Sequence, residues 1–155
     1  MRVTILGCGS SGGTPAIDWG WGECDPENPR NRRLRSSILI EDAGTRLLVD
    51  TSPDLRQQML AAGLREVDAV LYTHAHADHL HGIDDLRAVN RSRQGPLDIY
   101  ADADTLAIIE TRFGYVLRPM DQAATVFYKP TLTPHTIPDG DALRLGAVDV
   151  HVFAQ

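Results

Sequence analysis

The stretch Tyr72-Thr73-His74-Ala75-His76-Ala77-Asp78-His79-Leu80-His81-Gly82 sets five titratable side chains within eight positions, directly after the apolar run Ala69 to Tyr72. No other feature constrains the fold as much. Such residues cannot fill a core, because each imidazole or carboxylate buried alone forfeits its water without gaining a partner. The fold must therefore carry the stretch as a loop leaving a strand, with something to draw the side chains together. Their spacing indicates what. His74 and His76 are two apart, so in extended chain they face one side and can grip one ion. Asp78 and His79 are adjacent and diverge, which suits a second ion nearby. Imidazole nitrogen with carboxylate oxygen is a ligand set for Zn²⁺, Mn²⁺ or Fe, and the lack of cysteine in the group weighs against a closed structural zinc site. A merely solvated polar loop accounts poorly for this density and spacing.

Short strands and helices surround the loop. Strand-like runs are Val3 to Leu6, Ser37 to Glu41, Arg46 to Val49, Ala69 to Tyr72 and Leu97 to Ala101, each apolar or alternating and bounded by turn residues. Asp42-Ala43-Gly44-Thr45 joins the second and third as a hairpin. Helices are predicted over Asp54 to Ala62, where Asp54 follows Pro53 and Gly63 closes the end, over Ile83 to Val89, and over Asp104 to Phe113. A last hairpin reads from Ala142 to Leu145 and from Val148 to Phe153 around Gly146-Ala147. Hairpins mixed with strand-helix-strand units predict an α/β (α+β) chain, a mixed β-sheet with flanking helices. Residues 8 to 35, rich in Gly, Pro and Arg, are predicted to be irregular, and long loops inside compact domains are often functional.

Composition narrows the setting. At 155 residues, 43% hydrophobic and 23% charged, with a net charge of −6, the expectation is one soluble domain over residues 1–155. No run of about 18 apolar residues and no signal-peptide pattern occur, so a cytoplasmic location and no membrane partner are expected. Cys8 and Cys24 lie in different loops and read as free thiols. The acidic balance gives no general attraction to a phosphate backbone, so nucleic acid is not an expected partner. The one basic patch, Arg30, Arg32, Arg33 and Arg35, reads as a solvated loop face.

Several other signals carry less. Gly7-Cys8-Gly9-Ser10-Ser11-Gly12 fits G-x-G-x-x-G, yet Gly13, Thr14 and Pro15 stand where a helix should start, so it is no dinucleotide fingerprint. A turn lining the mouth of the site, its amides available to a phosphate, fits better. No Gly-Lys-Ser/Thr follows a Gly-rich loop, which excludes a P-loop. His135 and His151 stand alone and read as surface or satisfied histidines. Asp84 and Asp85 are explained by helix capping and dipole effects. Trp19 and Trp21 either form a substrate wall or pin the long loop to the body.

His-x-His-x-Asp-His after a strand and before a helix resembles the signature of the metallo-β-lactamase fold. Also similar to that family are the opening strand with Gly7-Cys8-Gly9-Ser10-Ser11-Gly12-Gly13-Thr14-Pro15, the Leu48-Val49-Asp50-Thr51 strand end, and the Gly82-Ile83-Asp84-Asp85-Leu86-Arg87 helix start. The resemblance covers nearly the whole chain and is nearest to the branch of the phosphoribosyl cyclic phosphodiesterases, which is related to RNase Z. It implies an αββα sandwich, truncated here, because the sequence supplies roughly the first half and a little more. The domain is thus expected to be incomplete at its C-terminus. By the same resemblance His74 and His76 would bind a first metal and Asp78 and His79 a second, with Asp78 and His79 the catalytic candidates. Asp50 looks like the family's acid behind the loop. His81 and Asp85 would either line the pocket or support the ligands from behind. In the family pattern a third histidine, a bridging aspartate and a last histidine come later, and none of these is present here.

The resemblance implies a metal-dependent hydrolase with two divalent ions, Zn or Mn, acting as a phosphodiesterase on small or cyclic phosphodiesters through a metal-activated hydroxide. Alternatives are an RNase Z-like tRNA-processing endonuclease, which should carry a basic arm, a glyoxalase-type thioesterase, and a non-catalytic metal-binding fragment, the reading that the missing late ligands favour. With those ligands absent, weak or partial metal binding and little activity are expected. Half a sandwich would also leave an apolar sheet face open, for which a homodimer is the expected remedy.

Overall fold

Residues 1–121 and 123–153 are described by a computed structural model. In chain order the regular elements are β1 (Arg2–Gly7), β2 (Ser37–Asp42), β3 (Thr45–Val49), α1 (Leu55–Ala61), β4 (Ala69–Leu71), α2 (Ala77–Leu80), α3 (Leu86–Arg93), β5 (Leu97–Ala101), α4 (Ala103–Phe113), β6 (Leu132–Thr136), β7 (Ala142–Leu145) and β8 (Val148–His151). Strands β1 to β6 form one sheet in sequence order. The β1–β2 and β2–β3 pairs are antiparallel, and the pairs from β3 to β6 are parallel. Two reversals cancel, so β1 runs with β3, and β1, β3, β4, β5 and β6 all end at one edge of the sheet. The loops that bear the chemistry leave from that edge.

The hairpin between β2 and β3 follows from its turn. Ala43 and Gly44 both take positive φ, 43° and 89°, as a two-residue turn matched to the sheet's twist requires. On the helical side, Leu39, Leu48, Val70 and Ile99 of the sheet pack against Leu55, Leu80, Ile83, Leu86, Val89 and Ile109 in the main core. Burying each such side chain contributes about 1.5–3 kcal/mol before the entropy of ordering it. Leu80 and Ile83 are both fully buried, and they root the metal loop and the turn after it.

The opposite face of the sheet carries two rows in register. Val3, Ile40, Leu47, Ala69, Asp98 and Thr133 make one; Ile5, Ile38, Val49, Leu71, Tyr100 and His135 make the other. The β7–β8 hairpin covers the middle of this face, where Val148 packs with Leu47 and Ala69. Its turn docks on β3: the Ala147 amide donates to Thr45 Oγ1 at 2.9 Å. Val3 and Ile5, on the edge strand, are left 53% and 66% exposed.

Two expectations need correction, and one strand went unread. The helix predicted over Ile83 to Val89 begins as a 3-10 turn at Ile83–Asp85 and continues as α3 to Arg93, ending on Gln94 at φ 55°. Strand β6 was not predicted, since Pro134 and the flanking polar residues mask its alternation. It lies on the sheet's outer edge, where a proline costs no ladder bond that a neighbour needs. Neither Asp84 nor Asp85 caps a helix through its side chain; Asp84 instead accepts a 2.6 Å hydrogen bond from the Tyr115 hydroxyl. Burial and that acid together push the Tyr115 phenol up to about 12. Among the described residues no helix is long and apolar enough to cross a membrane.

Candidate metal centre

Asp50 closes β3 and is 4% exposed, at φ 62°, a left-handed conformation that aspartate tolerates better than most residues. Its carboxylate is placed to receive three bonds. The Thr73 amide donates to Oδ1 at 2.8 Å, the Thr73 hydroxyl reaches Oδ2 at 2.8 Å, and Nδ1 of His79 lies 2.7 Å from Oδ2. Backbone bonds stitch the same strand end to the far side of the loop. The Thr51 amide donates to the His79 carbonyl at 2.7 Å and the Gly82 amide to the Thr51 carbonyl at 2.8 Å. The Thr51 hydroxyl lies 3.1 Å from the Leu80 carbonyl and 3.0 Å from the Tyr72 hydroxyl. Tyr72 is buried, which raises its phenol far above the ordinary range.

From this support the ligand candidates emerge as two pairs. Nε2 of His74 and Nδ1 of His76 are 3.0 Å apart, and Nε2 of His79 lies 3.4 Å from Oδ2 of Asp78. Two donors at about 2.0–2.1 Å from a tetrahedral ion stand about 3.3 Å from each other, so each pair has the bite of half a zinc site. The His74 and His79 rings approach to 4.1 Å between centroids, which brings the pairs side by side. Burial, then the neighbouring His79 and His76 rings, pull the His74 pKa down and favour its neutral form, the one with a lone pair to give. Asp50 accepting from Nδ1 of His79 likewise leaves Nε2 of that ring as the lone-pair nitrogen. No group of three or more His, Cys, Asp or Glu side chains converges to hold one ion among the described residues. Each pair brings two donors to the spacing that one divalent ion can span, one fewer than the three protein ligands of a catalytic zinc site.

The remaining candidates fall elsewhere. His81 stands edge-on to Phe113, 5.5 Å between centroids, and its ring makes no hydrogen bond among the described residues. Asp85 lines a separate groove with Arg56 and Met59 of α1. His135 pairs with Asp98 at 2.9 Å and stacks on Tyr100, a satisfied histidine on the open sheet face. Three amides of the glycine-rich loop have partners of their own. The Gly9, Gly13 and Thr14 amides go to the Leu34, Ser10 and Arg33 carbonyls, so they are spent within the protein. The glycines instead allow close backbone passage, since a Cβ on Gly7 would sit 2.0 Å from the Arg35 carbonyl. The basic patch disperses: Arg32 lies over Trp21, Arg33 reaches Cys8 Sγ, and Arg35 grips Asp54. Trp21 thus packs under Arg32 of the same long segment, whereas Trp19 stays 76% exposed. Sequence reasoning missed Thr73 and Arg112. Thr73 could have been found as the only hydroxyl beside the first histidine. Arg112 lies with Ile108 on the α4 wall of a cavity of about 460 Å³ that opens beside His74 and His76.

Residues 45–155 match the model of a family described as the beta-lactamase superfamily domain. An octanoyltransferase of Porphyromonas gingivalis is 43% identical over 130 residues, 83% of this chain but 26% of that protein. A ribonuclease Z of Bradyrhizobium sp. is 32% identical over 130 residues, 81% of this chain and 41% of the relative. Among solved structures, a diphosphatase from the PhnP family superposes with a TM-score of 0.80 at 31% identity, over 95% of this chain and 54% of its own. Zn(2+)-bound PqqB from Methylobacterium extorquens gives 0.75 at 28% identity, over 99% and 56%. The chain therefore spans between about a quarter and just over half the length of these proteins.

Proposed function

For a chain that belongs to the beta-lactamase superfamily, on its RNase Z-like branch and among metal-dependent hydrolases, we propose a phosphodiesterase-type function directed at small or cyclic phosphodiesters. The observation that carries this reading is the pairing of donors, His74 with His76 and Asp78 with His79, at 3.0 and 3.4 Å. His74 and His76 would hold one divalent ion, Asp78 and His79 a second, and Zn or Mn suits these nitrogens and this carboxylate. Such ions supply Lewis-acid polarisation of a phosphoryl oxygen and activation of a water as nucleophile. The chain's own part is to aim the ligands. Asp50 holds the His79 ring through Nδ1 and anchors the loop through the Thr73 amide, and Leu80 locks the loop into the core. The cavity between the loop and α4 offers the non-reacting part of a small substrate an apolar wall at Ile108 and a cation at Arg112, beside the carboxylates of Asp104 and of Asp102, the latter turned to cap α4. The acidic chain favours a small substrate over a polynucleotide. The solved relative described as a diphosphatase also supports hydrolysis at phosphorus.

Two protein ligands per ion is fewer than the three that hold a catalytic zinc, so these four side chains by themselves should hold metal weakly and support slow turnover. The test is titration of the purified chain with Zn²⁺ and Mn²⁺, combined with hydrolysis of bis(p-nitrophenyl) phosphate and of a thioester. Weak binding and slow, metal-dependent diester cleavage, both lost in His76→Ala, are expected. Metal binding indifferent to His74→Ala and His76→Ala would sink the centre, and thioester cleavage without diester cleavage would sink the substrate class. Two tightly held equivalents with rapid turnover would overturn the weak-binding claim.

A further inference from the structure

The hydroxyl of Thr73 owns one proton. Asp50 Oδ2, 2.8 Å away, takes it, because a carboxylate can only accept. The same Oγ1 lies 3.0 Å from Nδ1 of His74. With its own proton committed, Oγ1 meets that nitrogen as an acceptor, so the ring proton of neutral His74 sits on Nδ1. Nε2 is then left with the lone pair, and it is Nε2 that faces His76 across 3.0 Å.

We propose that Thr73 is a positioning residue that fixes the tautomer of His74, so that one carboxylate, Asp50, orients a ring in each donor pair. It acts directly on His79 and through the Thr73 hydroxyl on His74. Both rings then present Nε2 as the donor atom, although one follows the strand and the other lies on α2. The relay has a chemical reason. His74 and His79 are five residues apart, and a single buried acid reaches only the second of them with its own oxygen. A hydroxyl beside His74 is a small group able to accept from a ring N–H while donating to an acid. The consequence for metal binding rests on the proposed function, whereas the tautomer is a property of the metal-free chain.

The two parts are therefore tested separately. Long-range ¹H–¹⁵N NMR of the metal-free chain above the histidine titration range should show His74 and His79 both as Nδ1–H tautomers. Thr73→Val keeps the β-branched shape and the amide bond to Asp50 but cannot accept, so His74 should lose its Nδ1–H preference while His79 keeps its own. Thr73→Ser should restore both. Zinc affinity should fall about 10- to 100-fold in the valine variant, the usual size of losing an outer-sphere partner, and recover with serine. Nε2–H on His74 in the wild type, or an unchanged tautomer in Thr73→Val, would overturn the relay. A joint change at His74 and His79 in both variants would also overturn it, in favour of a loop collapse. Failure of diester hydrolysis would leave the tautomer result standing and count only against the proposed function.

Discussion

Gly82→Ala is the sharpest probe of how the metal loop is held. A Cβ built on Gly82 falls 2.0 Å from the Ser52 carbonyl oxygen and 3.0 Å from Leu55 Cβ, whereas real Cβ contacts essentially never come within 3.0 Å. The obstructing atom is backbone, so no rotamer change relieves it, and the 50–52 segment and the 79–82 segment must part by about 1 Å. The Ser52 carbonyl that the wedge meets accepts from the Leu55 amide at 2.9 Å, and the Gly82 amide itself donates to the Thr51 carbonyl at 2.8 Å. Overpacking of this kind costs about 1–3 kcal/mol, and leaving a buried backbone pair unmade adds about 1–3 kcal/mol. Together a destabilisation of roughly 2–6 kcal/mol is expected, a large share of the about 5–15 kcal/mol of a typical domain. Urea denaturation followed by circular dichroism should show the midpoint falling by roughly 2 M for an ordinary slope. Gly114→Ala is the control, since a Cβ there meets nothing within 4 Å. Equal midpoints for the two variants would refute the claim that this close passage holds the loop. So would a Gly82→Ala protein that is destabilised yet binds zinc like the wild type, because the displaced segment carries His79.

Other outcomes follow from the same geometry. Asp50→Asn replaces an acceptor by an NH₂ facing His79 Nδ1, so that ring must move its proton to Nε2; zinc affinity measured by calorimetry should drop about 10- to 100-fold, and wild-type affinity would refute the orienting role. The Arg35 guanidinium, bonded to both oxygens of Asp54 at 2.7 and 2.9 Å, holds that carboxyl below its usual range. A depressed acid stabilises the fold above its unfolded pKa, near about 4, and loses that contribution as pH falls through its folded value. Asp54→Asn should therefore cost about 1 kcal/mol at pH 7, discounted for partial exposure, and the gap to wild type should close in denaturation curves recorded below about pH 4. A gap that stays constant with pH would show that the ion pair is not its source.

Much of the fold could be read from the letters because its signals are local. Leu97-Asp98-Ile99-Tyr100-Ala101 alternates and is buried in alternation, and the Ala43-Gly44 turn lies where the hairpin pattern put it. The histidine spacing announced its own loop. What escaped were features made by distance. Asp54 opens the predicted helix, yet its carboxylate is taken by Arg35, 19 residues earlier, and makes no capping bond. Two amides of the glycine-rich loop, those of Gly9 and Thr14, are taken by the Leu34 and Arg33 carbonyls some twenty residues on. Strand β6 borrows its regularity from β5, and a proline and a histidine within it gave no hint of that. Thr73 was written beside His74 throughout, but its meaning depends on Asp50, 23 residues upstream and turned inward by a left-handed backbone.

The stitching of residues 50–52 to residues 73–82 also bears on how portable the centre is. A designer who grafted the histidine spacing onto another strand-loop-helix would transfer the letters without the bonds that aim them. The smallest transplantable unit is two separate pieces of chain: the loop, and the strand end beneath it that carries Asp50 and the Thr51 amide and carbonyl.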